Sequence, residues 1–107
     1  MRPDVKQFLD KYVEEFKQLG VKASALVLFG SQAKGTATVS SDIDIAVVMD
    51  EALSPMERGK LLCLGEEIDM RFETNLFFTT KSALENASHD LDTNKSIKKE
   101  GVILWQA

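Results

Sequence analysis

Asp42 and Asp44 stand one residue apart inside an otherwise apolar run, "SDIDIAVVM". Alternate residues of a strand face the same side about 6.6 Å apart, so such a run holds the two carboxylates as a pair while Ile43, Ile45 and Val47 face the other way. Burying two like charges unpaired costs several kcal/mol or raises one pKa strongly, so something positive belongs between them. A D-x-D pair alone also describes a strand face open to water. Its surroundings point to a cation. Asp69, in "EEIDMRF", supplies a third carboxylate on the polar face of a run that alternates like a strand, and hard divalent cations prefer oxygen ligands. Glu67 and Glu73 share that alternating face, but Asp69 lies nearer its middle, between Ile68 and Met70. Three strand-borne aspartates suit two magnesium ions about 3.5 to 4 Å apart, an arrangement used for in-line displacement at phosphorus.

A complementary feature precedes them. Gly30 and Ser31 close the apolar run "SALVLFG". Glycine lets the backbone approach a ligand closely, and Ser31 capping a short helical turn through "QAKG" leaves N–H groups to meet an anion. A triphosphate fits between that turn and the metal ligands. Lys34 offers one more positive charge, although a solvated surface lysine describes it equally well.

These groups need a sheet and covering helices to hold them. Val5, Phe8, Leu9, Tyr12, Val13, Phe16 and Leu19 recur at helical spacing, so residues 3–19 read as an amphipathic helix stopped by Gly20. Residues 24–30 and 41–49 read as strands. "SPMERGKLLCLG" opens with Ser54 as N-cap, Pro55 in the first turn and Glu57 three residues after the cap, and Gly65 reads as its stop. "EEIDMRF" reads as a third strand through its alternation. "NLFFTT" is open between strand and extended connection, a helix is expected over 88–100, and "GVILW" closes the chain as a short strand or packed tail. Helices and strands thus alternate around one sheet.

Composition bounds the function classes. The chain has 107 residues, enough for one core, so a single domain over 1–107 is expected. A charged fraction of 28% and near-zero mean hydropathy describe a soluble globular protein. No apolar run is long enough to span a membrane and the start carries no secretion signal, so a cytoplasmic location with no membrane contact is expected. Thirteen basic against seventeen acidic residues, with the basic ones dispersed, argue against a nucleic-acid partner. Cys63 is alone, which excludes an internal disulfide, and its helical context reads as buried. His89, also alone, reads as a surface or helix-start residue, with no second imidazole or thiol for a zinc site.

"GSQAKGTATVSSDID", with Gly30-Ser31, ten intervening residues and then Asp42-Ile43-Asp44, resembles the signature of the DNA polymerase beta-like nucleotidyltransferase superfamily. Small size, "EIDMRF" and "IKKEGVILW" resemble its minimal members, the antitoxin-side partners of HEPN-domain proteins. The resemblance spans almost the whole chain and is specific from Leu26 to Val48 and around Asp69.

That resemblance implies an α+β, two-layer fold with a mixed sheet and helices packed against it. It assigns Gly30 and Ser31 to the nucleotide's terminal phosphates, Asp42 and Asp44 to shared metal ligands, and Asp69 to the catalytic metal and the attacking hydroxyl. The chain departs from it at Gln32, where many relatives carry arginine, and over residues 79–96, which are longer and more polar than the usual link. The expected activity is magnesium-dependent transfer of AMP from ATP to a tyrosine of a HEPN-type toxin. Two rivals remain: an antitoxin acting by binding alone, and an enzyme modifying a small molecule such as an aminoglycoside with a separate helical subunit. The nucleotide base and any homo-oligomer stay open.

Overall fold

The computed structural model describes residues 2–38, 42–87 and 92–107. Helix α1 spans Pro3–Gln18, with proline in its first turn and Val5, Phe8, Leu9, Tyr12 and Phe16 buried along one stripe. Asp4 in the first turn and Lys17 in the last complement the helix dipole. Then follow β1 (Ala25–Phe29), α2 (Gly30–Lys34), β2 (Ile43–Met49), α3 (Pro55–Ile68), β3 (Thr74–Thr80), α4 (Lys81–Glu85), α5 (Thr93–Glu100) and β4 (Val102–Gln106).

The four strands form one sheet in the order β3-β2-β1-β4. Strand β1 is antiparallel to both neighbours, whereas β2 and β3 run parallel. The sheet is therefore mixed, within the α+β architecture expected from sequence.

Alternation along β2 divides the core. Ile43, Ile45, Val47 and Met49 join Leu26 and Leu28 in the larger cluster, covered by the apolar stripe of α1 and by Leu61 and Leu64 of α3. Ala46 and Val48 face the other side, against Val27, Ile97 of α5 and Leu84 of α4. Fully burying an isoleucine contributes about 1.5–3 kcal/mol, so one wrong step in the register of β2 would turn Ile43, Ile45, Val47 and Met49 out of the larger cluster. The same alternation places Asp44, and Asp42 just before the strand, on the second face, nearer the start of β2 than the buried Ala46.

Helix α3 starts with the capping box read from sequence. The Glu57 N–H donates to Ser54 Oγ at 3.2 Å, and the Ser54 N–H donates to Glu57 Oε1 at 3.2 Å. These backbone donors, Ser54 first and then Lys22, hold the Glu57 carboxyl below its ordinary pKa.

The far end of α3 differs from expectation. Gly65 does not stop it: the helix runs on to Ile68, and Asp69 is its C-cap, donating its N–H to the Gly65 carbonyl. The glycine serves close packing, since a Cβ there would lie 2.7 Å from Thr74 Oγ1 of β3. "EEIDMRF" is consequently a helix end and a turn, with the Phe72 N–H donating to the Asp69 carbonyl at 3.2 Å. Leu61, Leu64 and Ile68 repeat at helical spacing, and that longer period overrides the short alternation of Ile68, Met70 and Phe72. Cys63 is exposed rather than buried, because Leu61, Leu64 and Gly65 form the inward face of α3.

The third strand is instead "TNLFFTT", which the sequence left open. Thr80 then caps the unexpected α4 by accepting from the Ala83 N–H at 3.1 Å. Asp92 caps α5 by accepting from the Asn94 N–H at 2.8 Å, and the Thr79 hydroxyl donates to the Asn94 side chain. The polar segment 79–96 thus includes one helix and the start of another. His89, and the expected helix start at Ser88, lie outside the described residues.

Candidate functional site

Asp44 sits near the start of β2, in the centre of the sheet. Its Cα partners are Phe29 across the antiparallel pair with β1 and Asn75 across the parallel pair with β3. Strand β1 therefore ends beside Asp44, and the chain must turn there. Gly30 makes that turn with φ of +71°, in the left-handed region that side chains disfavour. A Cβ on Gly30 would collide with the Asp44 carboxylate, so glycine is required twice at this position, for the angle and for the space.

Gly30 and Ser31 are the first two residues of α2, and the N-cap Phe29 provides no side-chain cap. Ser31 therefore lies within the helix instead of capping it. Gln32 is buried. Lys34 stands at the other end of α2, paired with Glu100 of α5 at 3.2 Å. Its charge is engaged by that carboxylate.

The carboxylates of Asp42 and Asp44 converge on one donor. Asn75 Nδ2 lies 2.9 Å from Asp42 Oδ2 and 3.3 Å from Asp44 Oδ1. Two ionised carboxylates only accept hydrogen bonds, so the amide nitrogen of Asn75 is the end that must face them. This contact ties β3 to β2 and joins carboxylates that would otherwise repel.

Asp69 is not brought to this pair. Arg71 clamps it: Nη2 donates to Oδ2 at 2.7 Å, while Nε and the Arg71 N–H each donate to Oδ1 at 3.0 Å. Hydrogen bonds from the Arg71 side chain, then its backbone, lower the Asp69 pKa to about 2. Among the described residues no trio of acidic, histidine or cysteine side chains is close enough to share a metal ion. The expected set of three strand aspartates is thus a pair plus a carboxamide. Asn75 was missed because its strand was displaced towards "EEIDMRF". The available signal was a polar residue at the mouth of the apolar run "LFF".

The chemistry available is that of two oxygen-rich ligands beside a glycine turn. A larger cleft of about 690 Å³, lined by Lys22, Asp50, Ser54, Glu57 and Lys81 among others, contains neither aspartate. It adjoins the far ends of β1 and β2, where Lys81 pairs with Asp50 at 3.6 Å. Size alone does not make it the site, since the glycine turn and the carboxylate pair lie elsewhere.

A family model described as a nucleotidyltransferase domain matches residues 9–104, including the glycine turn and both aspartates. The chain belongs to that family. No curated protein sequence matches it significantly. This nucleotidyltransferase is similar to a chain in the structure of a toxin-antitoxin with AMP-PNP, with 27% identity and a TM-score of 0.63, covering 91% of this chain and 73% of that one. A mutant MntA-HpeT toxin-antitoxin complex gives 24% identity and a TM-score of 0.63, covering 92% and 73% of the two chains. The structure of tri-AMPylated Shewanella oneidensis HEPN toxin with MNT antitoxin gives 24% and 0.58, covering 94% and 72%. The last two likenesses establish the fold. Among the described residues no helix is long and apolar enough to cross a membrane.

Proposed function

We propose that this nucleotidyltransferase transfers AMP from ATP to a tyrosine hydroxyl of a HEPN-type partner in the cytoplasm, and thereby acts as the antitoxin of the pair. Residues 1–107 serve in this reading as one minimal domain whose acceptor arrives on another chain. The observation that carries it is the close fit of Gly30 against Asp44, with Asp42 alongside. The similarity to a toxin-antitoxin chain solved with AMP-PNP supports both the nucleotide and the partner.

In the reaction, the acceptor oxygen bonds to the α-phosphorus, the bond from that phosphorus to the β-bridging oxygen breaks, and pyrophosphate leaves. The hydroxyl proton is released to the medium. Gly30 and Ser31 would hold the terminal phosphates, the glycine by admitting them close to the backbone. Asp42 and Asp44 suit magnesium, which takes one or two carboxylates and leaves positions for phosphate and water. When bound, that ion supplies positive charge against the phosphates during displacement. The chain's own contribution is positioning, because Asp44 is fixed on a central strand between β1 and β3, and Asp42 just before that strand shares the Asn75 amide with it.

A binding-only antitoxin is the second reading, favoured by the carboxamide of Asn75 where a third carboxylate was expected. One experiment separates them. The protein is incubated with magnesium, each nucleoside triphosphate in turn and a co-expressed HEPN-type partner, and the partner is weighed intact. A mass increase by whole adenylyl groups, with ATP alone, is the expected result. An unmodified partner that is nevertheless neutralised in a stable complex would establish the binding-only reading.

A further inference from the structure

We infer that Asn75 limits this site to a single divalent cation, the one accompanying the nucleotide's phosphates, where three carboxylates would hold two. The inference rests on the nucleotide-binding reading of the same site. Parallel pairing of β2 and β3 puts residue 75 directly beside Asp44, the position from which a side chain on β3 can reach both aspartates. The residue there is neutral. Its Nδ2 donates to Asp42 and Asp44, so the metal-free site already has hydrogen bonds in place of a second positive charge.

Two ions about 3.5 to 4 Å apart carry four positive charges, and carboxylates on both sides usually offset that repulsion. Here the protein brings only two carboxylates, as many as a single magnesium takes beside substrate phosphate, and among the described residues no third acidic side chain joins them for a second ion. Asp69, the third carboxylate expected from sequence, is clamped by Arg71. One ion fits the donor set, and two do not.

The test counts metal directly. Protein saturated with α,β-methylene-ATP, which cannot release pyrophosphate, is dialysed to equilibrium against Mn2+, and bound Mn2+ per chain is measured for the natural protein and Asn75→Asp. The natural protein should hold one Mn2+ with its nucleotide and Asn75→Asp two. Melting without metal should show Asn75→Asp less stable than the natural protein, since it loses two hydrogen bonds and adds a third like charge, and Mn2+ should reverse that order. Two ions in the natural protein, or one in a folded Asn75→Asp, would overturn the inference while leaving the nucleotide site intact. No nucleotide-dependent Mn2+ in either would instead overturn the reading on which it rests.

Discussion

Asp44 and Asp69 are both partly buried aspartates flanked by apolar residues, yet Asp44 shares a carboxamide with a second carboxylate while Asp69 is held by a guanidinium. The contrast shows what makes a carboxylate available to a ligand. Asp44 gives up one weak hydrogen bond to Asn75 at 3.3 Å when a cation arrives. Asp69 would have to break contacts on both oxygens, and its low pKa also makes it a poor acceptor for a proton from a hydroxyl. Position matters as well: Asp44 is fixed by strands on both sides, whereas Asp69 caps a helix at a turn.

The sharpest way to break this comparison is to neutralise each carboxylate in turn. Asp44→Asn should lower transfer by about 100-fold or more, the scale on which electrostatic stabilisation is lost. Asp69→Asn should change it by no more than about threefold, as expected for a surface substitution. Parallel rate measurements with ATP and the partner decide the matter. Equal losses would mean that Asp69 leaves Arg71 and joins the site during reaction.

Glycine gives a smaller effect that sharpens the Asp44 side. Gly30 and Gly20 both have positive φ, of 71° and 67°, but a Cβ on Gly20 would meet nothing within 4 Å. Gly20→Ala should incur only backbone strain of roughly 1–2 kcal/mol, seen as a melting temperature lower by about 4 °C or more. Gly30→Ala adds the collision with Asp44 and should melt lower still, with nucleotide binding lost. Calorimetry with ATP and magnesium on both variants checks this. Retained binding in Gly30→Ala would detach the glycine turn from the site.

The smallest effect concerns pH and tests the Asp69 side. The folded pKa of Asp69, about 2, lies below its ordinary value near 3.8. Its pairing with Arg71 therefore favours the folded protein above about pH 4, and that contribution disappears as pH falls towards 2. The exposure of Arg71 keeps the effect small. Melting curves should place Asp69→Asn slightly below the natural protein at pH 6, with the gap closing by pH 2. A gap that persists in strong acid would show that the asparagine acts through the helix cap instead of through charge.

Much of the scaffold was legible because its signals are local. The stripe of α1 is periodic, the box at Ser54 to Glu57 completes itself within four residues, and β2 alternates cleanly between Ile43 and Val47. Gly30, Asp42 and Asp44 were legible for the same reason, being bound to one another by a short fixed spacing. Asn75, which joins the two aspartates, was not. Locating it required knowing where α3 ends, and "LCLGEEIDMRF" supports two periods at once.

The amino-acid sequence by itself determined the glycine turn and the aspartate pair, since a strand's two-residue period aligns Asp42 with Asp44 whatever lies around them. Only the tertiary structure decided what stands beside the pair. Gly65 packs against Thr74, α3 runs on to Ile68 and β3 starts at Thr74 in parallel register with β2; that register brings Asn75 to Asp44, while Asp69 stays with Arg71. Helix length and strand register are fixed by contacts between segments far apart in the chain, and no local spacing records them.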